Sequence, residues 1–142
     1  MGDERIRVLF LCTHNSARSQ IAEALLQQYG GSDFEVASAG TEETTVNPFA
    51  IRVLADAGID WSHAESKTID RFVDQRFDYV ITVCDRAREA CPVFPGSEKT
   101  LHWGIDDPSD AAGTDAEKLA AFRQTRDELA SRLRPFIHEA LG

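Results

Sequence analysis

The sequence predicts an α/β domain with a parallel sheet, and three observations lead to this fold class. Short apolar runs alternate with longer segments whose apolar residues recur at helical spacing, as in folds built from strand–helix–strand units. The first run, at 6–11, is almost wholly apolar, which is typical of a parallel strand buried on both faces. The chain has 142 residues, of which 42% are hydrophobic and 27% charged, a globular composition at a common domain size. We therefore expect residues 1–142 to form a single domain.

The first part of the chain predicts two strands with a helix between them. The strand at 6–11 runs into a polar segment, and the helix that follows ends at Gly30 and Gly31, since glycine is a common helix terminator. The inner face of this helix is predicted from apolar residues at positions i, i+3, i+4 and i+8, which are Ile21, Ala24, Leu25 and Tyr29. The run at 34–39 predicts the second strand.

A second helix is predicted to begin at Asn47 and Pro48. Asparagine is a favoured N-cap, and proline suits the first helical turn because that turn leaves its N–H groups unpaired. The predicted inner face consists of Ile51, Leu54 and Ala55. Gly58 is expected to end this helix, and the apolar run at 79–83 then predicts a third strand.

The last part of the chain predicts a weaker fourth strand at 100–103 and a long amphipathic helix from about 115 to 141. The apolar residues that define the helix are Leu119, Phe122, Leu129, Leu133, Phe136 and Ile137. Pro135 lies inside this pattern and is expected to kink or restart the helix.

The acidic balance of the chain restricts its partners. It has 15 Lys and Arg residues against 24 Asp and Glu residues, a formal net charge of −9, which repels nucleic acids and anionic membranes. An anion must therefore be held by local geometry against the overall field. No apolar run approaches the roughly 20 residues of a membrane span, and the N-terminal segment lacks the features of a signal peptide. We expect a cytoplasmic protein that binds a small molecule, with no nucleic-acid or membrane partner.

The segment 12–19, Cys-Thr-His-Asn-Ser-Ala-Arg-Ser, carries the clearest chemical signal. A cysteine and an arginine separated by five residues, between a strand and a helix, predict a compact loop whose backbone N–H groups bind a tetrahedral oxyanion. Arg18 can hold two oxygens of the anion at once, and Asn15 tolerates the left-handed backbone that a tight loop requires. The predicted oxyanion-binding residues are Thr13, His14, Asn15, Ser16, Ala17, Arg18 and Ser19.

Cys12 is the predicted nucleophile of this loop. The helix N-terminus and Arg18 place positive charge beside it, which favours the thiolate over the thiol, and Ser19 can donate a hydrogen bond to that thiolate. The alternative is a buried cysteine that closes a strand, with Arg18 on the helix surface. The strand before the segment, the helix after it and the polar residues within it disfavour this alternative.

The segment 12–19 resembles the signature of the low-molecular-weight tyrosine phosphatase fold, a superfamily that also contains the thioredoxin-coupled arsenate reductases. The resemblance implies a three-layer sandwich around a central four-stranded parallel sheet of flavodoxin-like type. Family members carry a general-acid aspartate immediately before a proline on a late loop, and Asp107 precedes Pro108 here. Asp107 is therefore the general acid that the resemblance implies, although Asp-Pro alone is an ordinary turn sequence.

Two further motifs resemble the arsenate reductase branch rather than the phosphatases. Cys84 and Cys91 lie in a segment similar to the redox segment of the thioredoxin-coupled reductases, and 102–108 is also similar to that branch. Phosphatases of this fold usually carry tyrosines just after the Asp-Pro, whereas Ser109, Asp110 and Ala111 follow here. In the family's sheet the first and third strands are neighbours, which would bring Cys12 and Cys84 within disulfide range.

The resemblance implies a complete reaction without metal or organic cofactor. Cys12 attacks arsenate with Asp107 as acid, Cys84 then attacks Cys12, and Cys91 attacks Cys84. The final disulfide awaits thioredoxin or another dithiol donor, and we expect the enzyme to be a monomer. Two alternatives stay open: a phosphatase of the same fold in which Cys84 and Cys91 act as a redox brake, and a non-enzymatic module that binds an oxyanion or arsenite.

One position departs from the family pattern. Some relatives bind potassium near the loop with residues that match Asn15, Glu23 and Ser38 together with an acid, whose place is taken here by Lys67. Either the lysine ammonium substitutes for the cation or Lys67 faces solvent, and the sequence leaves both open. The histidines, which are His14, His63, His102 and His138, show no metal-ligand spacing. His14 is expected only to shape the loop and His102 to pack.

Overall fold

A parallel sheet of four strands forms the centre of the computed structural model, which describes residues 5–42, 44–85, 94 and 97–142. The strands are β1 (Ile6–Cys12), β2 (Phe34–Gly40), β3 (Phe77–Thr82) and β4 (Ser97–His102). Their order across the sheet is β2-β1-β3-β4, and every neighbouring pair is parallel. The predicted α/β fold with its four-stranded parallel sheet is thereby confirmed, as is the predicted adjacency of the first and third strands.

The three α-helices pack on one face of this sheet. They are α1 (Arg18–Gly30), α2 (Pro48–Asp56) and α3 (Asp115–Leu141). Val8 and Phe10 of β1 point into the core shared with these helices, while Leu9 and Leu11 point into a second cluster with Phe72 and Phe94 on the opposite face. Both faces of β1 are therefore covered, as its apolar sequence predicts. No helix in the described part of the chain is long and apolar enough to cross a membrane.

The helix starts follow the sequence signals closely. Asn47 caps α2 by accepting a hydrogen bond from the Phe49 backbone N–H at 2.9 Å, with Pro48 in the first turn. Thr114 caps α3 through a reciprocal pair with Glu117, in which each side chain accepts from the other residue's backbone N–H.

Strands β3 and β4 both start earlier than predicted. Strand β4 has mostly exposed side chains, so its apolar signal is weak.

The predicted inner face of α2 is partly wrong. Ala50, Val53 and Leu54 are buried, whereas Ile51 is half-buried and Ala55 is exposed. The buried stripe still has the spacing i, i+3, i+4, but it lies one residue earlier than predicted, so that Ala50 faces the core and Ala55 faces outward.

The structure also bears on expectations for the other two helices. Tyr29 follows the apolar spacing of α1 but is 43% exposed, and the Arg134 guanidinium lies 6.0 Å from the centre of its ring. Helix α3 continues through Pro135 without restarting. Pro135 and Ser131, whose carbonyl loses its helical partner, are both exposed, so water can satisfy that carbonyl.

Candidate active site

The carboxyl ends of β1 and β3 bring two of the predicted catalytic cysteines to the same edge of the sheet. Cys12 is the last residue of β1, and the Val83 backbone N–H donates to the Leu11 carbonyl at 2.9 Å, which continues the pairing with β1 up to the residue before Cys84. Both cysteines are buried. Cys12 is a free thiol, whereas Cys84 is disulfide-bonded. The third predicted cysteine, Cys91, lies outside the described residues.

The loop between β1 and α1 adopts the tight conformation that its sequence predicts. Asn15 has a φ of 49° and is fully buried, so the left-handed backbone expected at this residue is present. The loop passes directly over Gly40 at the end of β2. A Cβ atom on Gly40 would lie 2.8 Å from the Asn15 nitrogen and 2.8 Å from the Thr13 carbonyl oxygen, so a larger residue would displace the loop.

The Asn15 side chain ties this loop to the structure behind it. Its Nδ2 donates to the Ser19 hydroxyl at 2.8 Å and to the Ser38 hydroxyl at 2.9 Å. Its Oδ1 accepts from Gln20 Nε2 at 2.9 Å and from the Lys67 backbone N–H at 2.8 Å. The full hydrogen-bonding capacity of the amide is thus used, which fixes the loop by its buried side.

The thiol of Cys12 lies beside the first turn of α1. Ser19 Oγ lies 2.9 Å from Cys12 Sγ, within hydrogen-bonding distance of the sulfur. Helix α1 begins at Arg18 with Ala17 as its N-cap, and no side chain in the described part of the chain caps its first turn. The first backbone N–H groups of α1 therefore remain suited to an anion, which a helix N-terminus attracts.

Arg18 and Asp107, predicted from two distant segments, lie side by side. Arg18 is 2% exposed, and its Nη1 donates to the Ile105 carbonyl at 3.0 Å while its Nη2 lies 3.5 Å from Asp107 Oδ2. The other carboxylate oxygen of Asp107 accepts from the Ser109 backbone N–H at 2.9 Å. Because this short helix of 108–110 holds only one oxygen of Asp107, the other oxygen is directed at Arg18.

Backbone carbonyls of the loop are held by neighbouring segments, and the His14 side chain lies at the outer edge. His14 points outward to Glu42, with 3.1 Å between Nδ1 and Oε2, while its carbonyl accepts from the Thr44 and Ser66 hydroxyls. The Ser16 carbonyl accepts from the Asn47 backbone N–H at 2.8 Å. The side chain of His14 thus shapes the outer edge of the loop, as expected.

The Lys67 side chain, whose orientation the sequence left open, lies beside Glu23. Its Nζ lies 3.6 Å from Glu23 Oε1 and donates to the Glu65 carbonyl at 3.0 Å, and its side chain is 13% exposed. Ser38 Oγ donates to the same Glu23 oxygen at 2.5 Å. Burial raises the pKa of Glu23, and the Lys67 ammonium opposes this rise. The solvent-facing alternative is therefore wrong, because the ammonium supplies positive charge at this carboxylate.

The sequence analysis missed Gln20, Trp61 and the close approach at Gly40. Trp61 Nε1 donates to Gln20 Oε1 at 2.9 Å, a contact between residues 41 positions apart that no local pattern reveals. His102, expected only to pack, is exposed and hydrogen-bonded to Thr82, with 2.6 Å between Nδ1 and Oγ1. Among the described residues, no group of three or more His, Cys, Asp or Glu side chains could hold a metal ion.

Known proteins with similar sequences and structures share this architecture. An arsenate reductase of Halalkalibacterium halodurans is 46% identical over 129 residues, which cover 91% of this chain and 93% of the relative. An arsenate reductase of Bacillus subtilis strain 168 is 44% identical with the same coverage. A solved structure of an arsenate reductase in the phosphate binding state has a TM-score of 0.80 at 31% identity and covers 94% of this chain and 98% of its own.

A second solved structure carries information about the electron donor of a relative. This thioredoxin-dependent arsenate reductase from Corynebacterium glutamicum has a TM-score of 0.71 at 30% identity and covers 99% of this chain and 65% of its own. The family model of the low molecular weight phosphotyrosine protein phosphatases matches residues 7–142. Because this match covers almost the whole sequence, the chain belongs to the low molecular weight phosphotyrosine protein phosphatase family.

Proposed function

We propose that this protein reduces arsenate to arsenite at Cys12 and passes the oxidation through Cys84 and Cys91 to an external dithiol such as thioredoxin. Arsenate is a tetrahedral anion like phosphate, so a loop suited to one is suited to the other. The relatives named as arsenate reductases match this chain over nine-tenths of its length, and they support this substrate.

The first step uses the anion loop. Arg18 and the backbone N–H groups of 13–19 hold the arsenate oxygens. The Cys12 thiolate attacks arsenic and forms an S–As bond, while one oxygen leaves as water after Asp107 has supplied a proton. The proximity of Asp107 Oδ2 to Arg18, at 3.5 Å, supports this role because it puts the acid next to the group that holds the anion.

The second step transfers two electrons. The Cys84 thiolate attacks the Cys12 sulfur, the S–As bond breaks with its electron pair on arsenic, and arsenite leaves. Cys91 then attacks Cys84, which releases the Cys12 thiolate and leaves a Cys84–Cys91 disulfide for the external dithiol to reduce. A free Cys12 together with a disulfide-bonded Cys84 is the pattern that this proposal requires after the last internal exchange.

The position of Cys84 is the observation that carries the proposal. It follows the strand directly beside β1, and neighbouring strands lie about 4.8 Å apart, which suits the roughly 4.4–6.8 Å between Cα atoms in a disulfide. Phosphate ester hydrolysis needs no second thiol here. We further propose that the enzyme works as a cytoplasmic monomer, without metal or organic cofactor.

A coupled assay tests the function. Purified protein is mixed with arsenate, NADPH, thioredoxin and thioredoxin reductase, and NADPH consumption should depend on arsenate. Parallel assays with glutaredoxin and mycothiol systems identify the donor. Absence of arsenate-dependent consumption with all three donors would contradict the proposal.

A substitution separates reduction from hydrolysis. Cys84→Ser should lose arsenate reduction but keep slow hydrolysis of p-nitrophenyl phosphate, because that step needs only Cys12, Arg18 and Asp107. Sustained reduction over many turnovers by this variant would refute the relay.

Phosphate ester hydrolysis remains the second candidate, because the family match and the Cys12, Arg18 and Asp107 arrangement suffice for it. In that case Cys84 and Cys91 would act as a redox brake. The residues after Pro108 are Ser109, Asp110 and Ala111, which offer no aromatic ring to hold a phosphotyrosine. Faster nitrophenol release than arsenate reduction would favour this candidate.

A further inference from the structure

We infer that the indole of Trp61 orients a series of hydrogen bonds behind the anion loop, so that its last donor points at the Cys12 sulfur. The series runs through Trp61, Gln20, Asn15, Ser19 and Cys12. Trp61 and Gln20 are then positioning residues, which act on the nucleophile without touching the substrate. The inference rests on the proposed function in one respect, namely that Cys12 is the nucleophile.

Buried contacts connect the far end of the series to the loop. Trp61 is 8% exposed and donates from Nε1 to Gln20 Oε1 at 2.9 Å. Gln20 is fully buried, and its Nε2 donates to Asn15 Oδ1 at 2.9 Å and to the Glu65 carbonyl at 2.9 Å. Every polar atom of the Gln20 side chain is therefore engaged with a partner inside the protein.

The chemistry of the outer partners determines the direction of these bonds. An indole N–H can only donate, and a backbone carbonyl can only accept. Gln20 must therefore present its oxygen to Trp61 and its NH₂ group to the Glu65 carbonyl and Asn15. The backbone N–H of Lys67 donates to the same Asn15 oxygen at 2.8 Å, which leaves the Asn15 NH₂ group facing the serine hydroxyls.

The hydrogen bonds keep the same donor-to-acceptor direction from Asn15 through Ser19 to Cys12. Ser19 Oγ accepts from Asn15 Nδ2 at 2.8 Å, and Cys12 Sγ lies 2.9 Å away on its other side. A thiolate has no hydrogen to donate, so when Cys12 is ionised the single hydrogen of the Ser19 hydroxyl, whose oxygen accepts from Asn15, must be the one that bridges to the sulfur. A donated hydrogen bond stabilises the thiolate over the thiol, so the orientation set at Trp61 favours the reactive form of Cys12.

Loss of the indole N–H should weaken this orientation without removing it. Among the described residues, no buried side-chain nitrogen or oxygen lacks a hydrogen-bond partner. Replacing Trp61 by phenylalanine would leave Gln20 Oε1 buried and unpaired, a loss that destabilises the present position of the amide. The Gln20 NH₂ group would still be held by Asn15 Oδ1 and the Glu65 carbonyl, and the Lys67 N–H would still hold Asn15. The expected effect is therefore partial.

The test measures the reactivity of Cys12 directly. The wild-type protein and Trp61→Phe are alkylated with iodoacetamide across a range of pH, and the modified Cys12 peptide is quantified by mass spectrometry. The midpoint of the pH profile should move upward by about 0.5–1 pH unit in Trp61→Phe. Because this measurement needs no arsenate and no electron donor, it separates this inference from the proposed reduction.

Two further variants provide the controls. Trp103→Phe removes the other tryptophan, whose ring packs against Phe10 and Phe136 at 6.2 and 5.8 Å, and it should leave the midpoint unchanged. Gln20→Met interrupts the series at its second member and should shift the midpoint as well. In the Gln20→Met background, Trp61→Phe should add no further shift, since Trp61 acts through Gln20.

The double substitution makes the result decisive. A shift in Trp61→Phe that disappears in the Gln20→Met background supports the inference. Unchanged midpoints in folded Trp61→Phe, or shifts that simply add in the double variant, would overturn it. If Trp61→Phe fails to fold, the midpoint of the Gln20→Met profile is compared with that of Trp103→Phe. Equal midpoints in these two variants also overturn the inference.

Discussion

The two sides of the anion loop are held in contrasting ways. Behind the loop, Asn15 is fully buried and each polar atom of its side chain has protein partners. In front, the Asp107 side chain is 20% exposed, with one oxygen held by a backbone N–H and the other near Arg18. Under the proposed roles the work is divided: a buried network fixes the proposed nucleophile Cys12, whereas the proposed proton donor Asp107 stays accessible to substrate and water.

The largest expected effect comes from the buried side. Cys12→Ser should abolish both arsenate reduction and phosphate ester hydrolysis, because a serine hydroxyl at neutral pH is not comparably nucleophilic without a base. Far-UV circular dichroism should show an intact fold, since the replacement changes one atom. Reduction above background in this variant would mean that another residue is the nucleophile.

On the exposed side, Asp107→Asn should slow formation of the S–As bond by roughly 10²–10⁴, the usual range for a general acid. Single-turnover reduction followed by rapid quench measures this step. Asp106→Asn is the matched control, because Asp106 is an exposed neighbour with no proposed role. Equal rates for Asp107→Asn and Asp106→Asn would place the acid elsewhere.

Arg18 joins the two sides, and Arg18→Lys should have an intermediate effect. Lysine keeps the charge but loses the planar fork that can hold two oxygens and the Ile105 carbonyl together. Phosphate and arsenate binding should weaken about tenfold, which corresponds to about 1.4 kcal/mol. Isothermal titration calorimetry provides the affinities, and unchanged values would refute the clamp role.

The smallest expected effect concerns Glu23 and the pH dependence of stability. Burial raises the pKa of Glu23 above its ordinary value of 4.5 in the folded protein, so the folded state holds this proton more tightly than the unfolded state. The contribution of Glu23 to the free energy of unfolding therefore declines as pH rises from about 4.5 through the raised value. Glu23→Gln removes this decline, so the variant should gain stability relative to wild type between pH 4 and pH 8.

Urea unfolding at several pH values checks this prediction. Glu139→Gln, on the exposed side of α3, is the control and should follow the wild-type pH dependence. A constant difference between Glu23→Gln and wild type across the range would contradict the assignment.

Local signals explain why much of the fold could be predicted from the sequence. The apolar run that becomes β1, the Asn47-Pro48 start of α2 and the long stripe of α3 each contain their information within a few neighbouring residues. The face of α2 was missed at Ala55 because an alanine fits either a buried or an exposed position. Tyr29 was wrongly placed on the buried face of α1 because its ring follows the apolar spacing, although it is 43% exposed.

The candidate site also contains some features that neighbouring residues encode and others that they do not. The loop 12–19 could be predicted because strand, loop and helix are contiguous, and Asn15 adopts the expected left-handed backbone. Asp107 required a family resemblance, since Asp-Pro alone indicates only a turn. The contacts of Trp61 with Gln20 and of Lys67 with Glu23 depend on how distant segments pack, and no local pattern encodes them. The sequence therefore predicts the groups that meet the substrate better than the groups that hold them.

Gly40 limits how this protein can be engineered for thermal stability. Replacing glycine by alanine commonly stabilises a protein by about 0.4–1 kcal/mol, because the unfolded chain loses freedom. At Gly40 the added methyl carbon would meet three backbone atoms of the anion loop at 2.8–2.9 Å, and backbone cannot swing aside as a side-chain tip can. A stabilisation programme should therefore leave residue 40 unchanged, since the entropy gained there would be lost in a distorted catalytic loop.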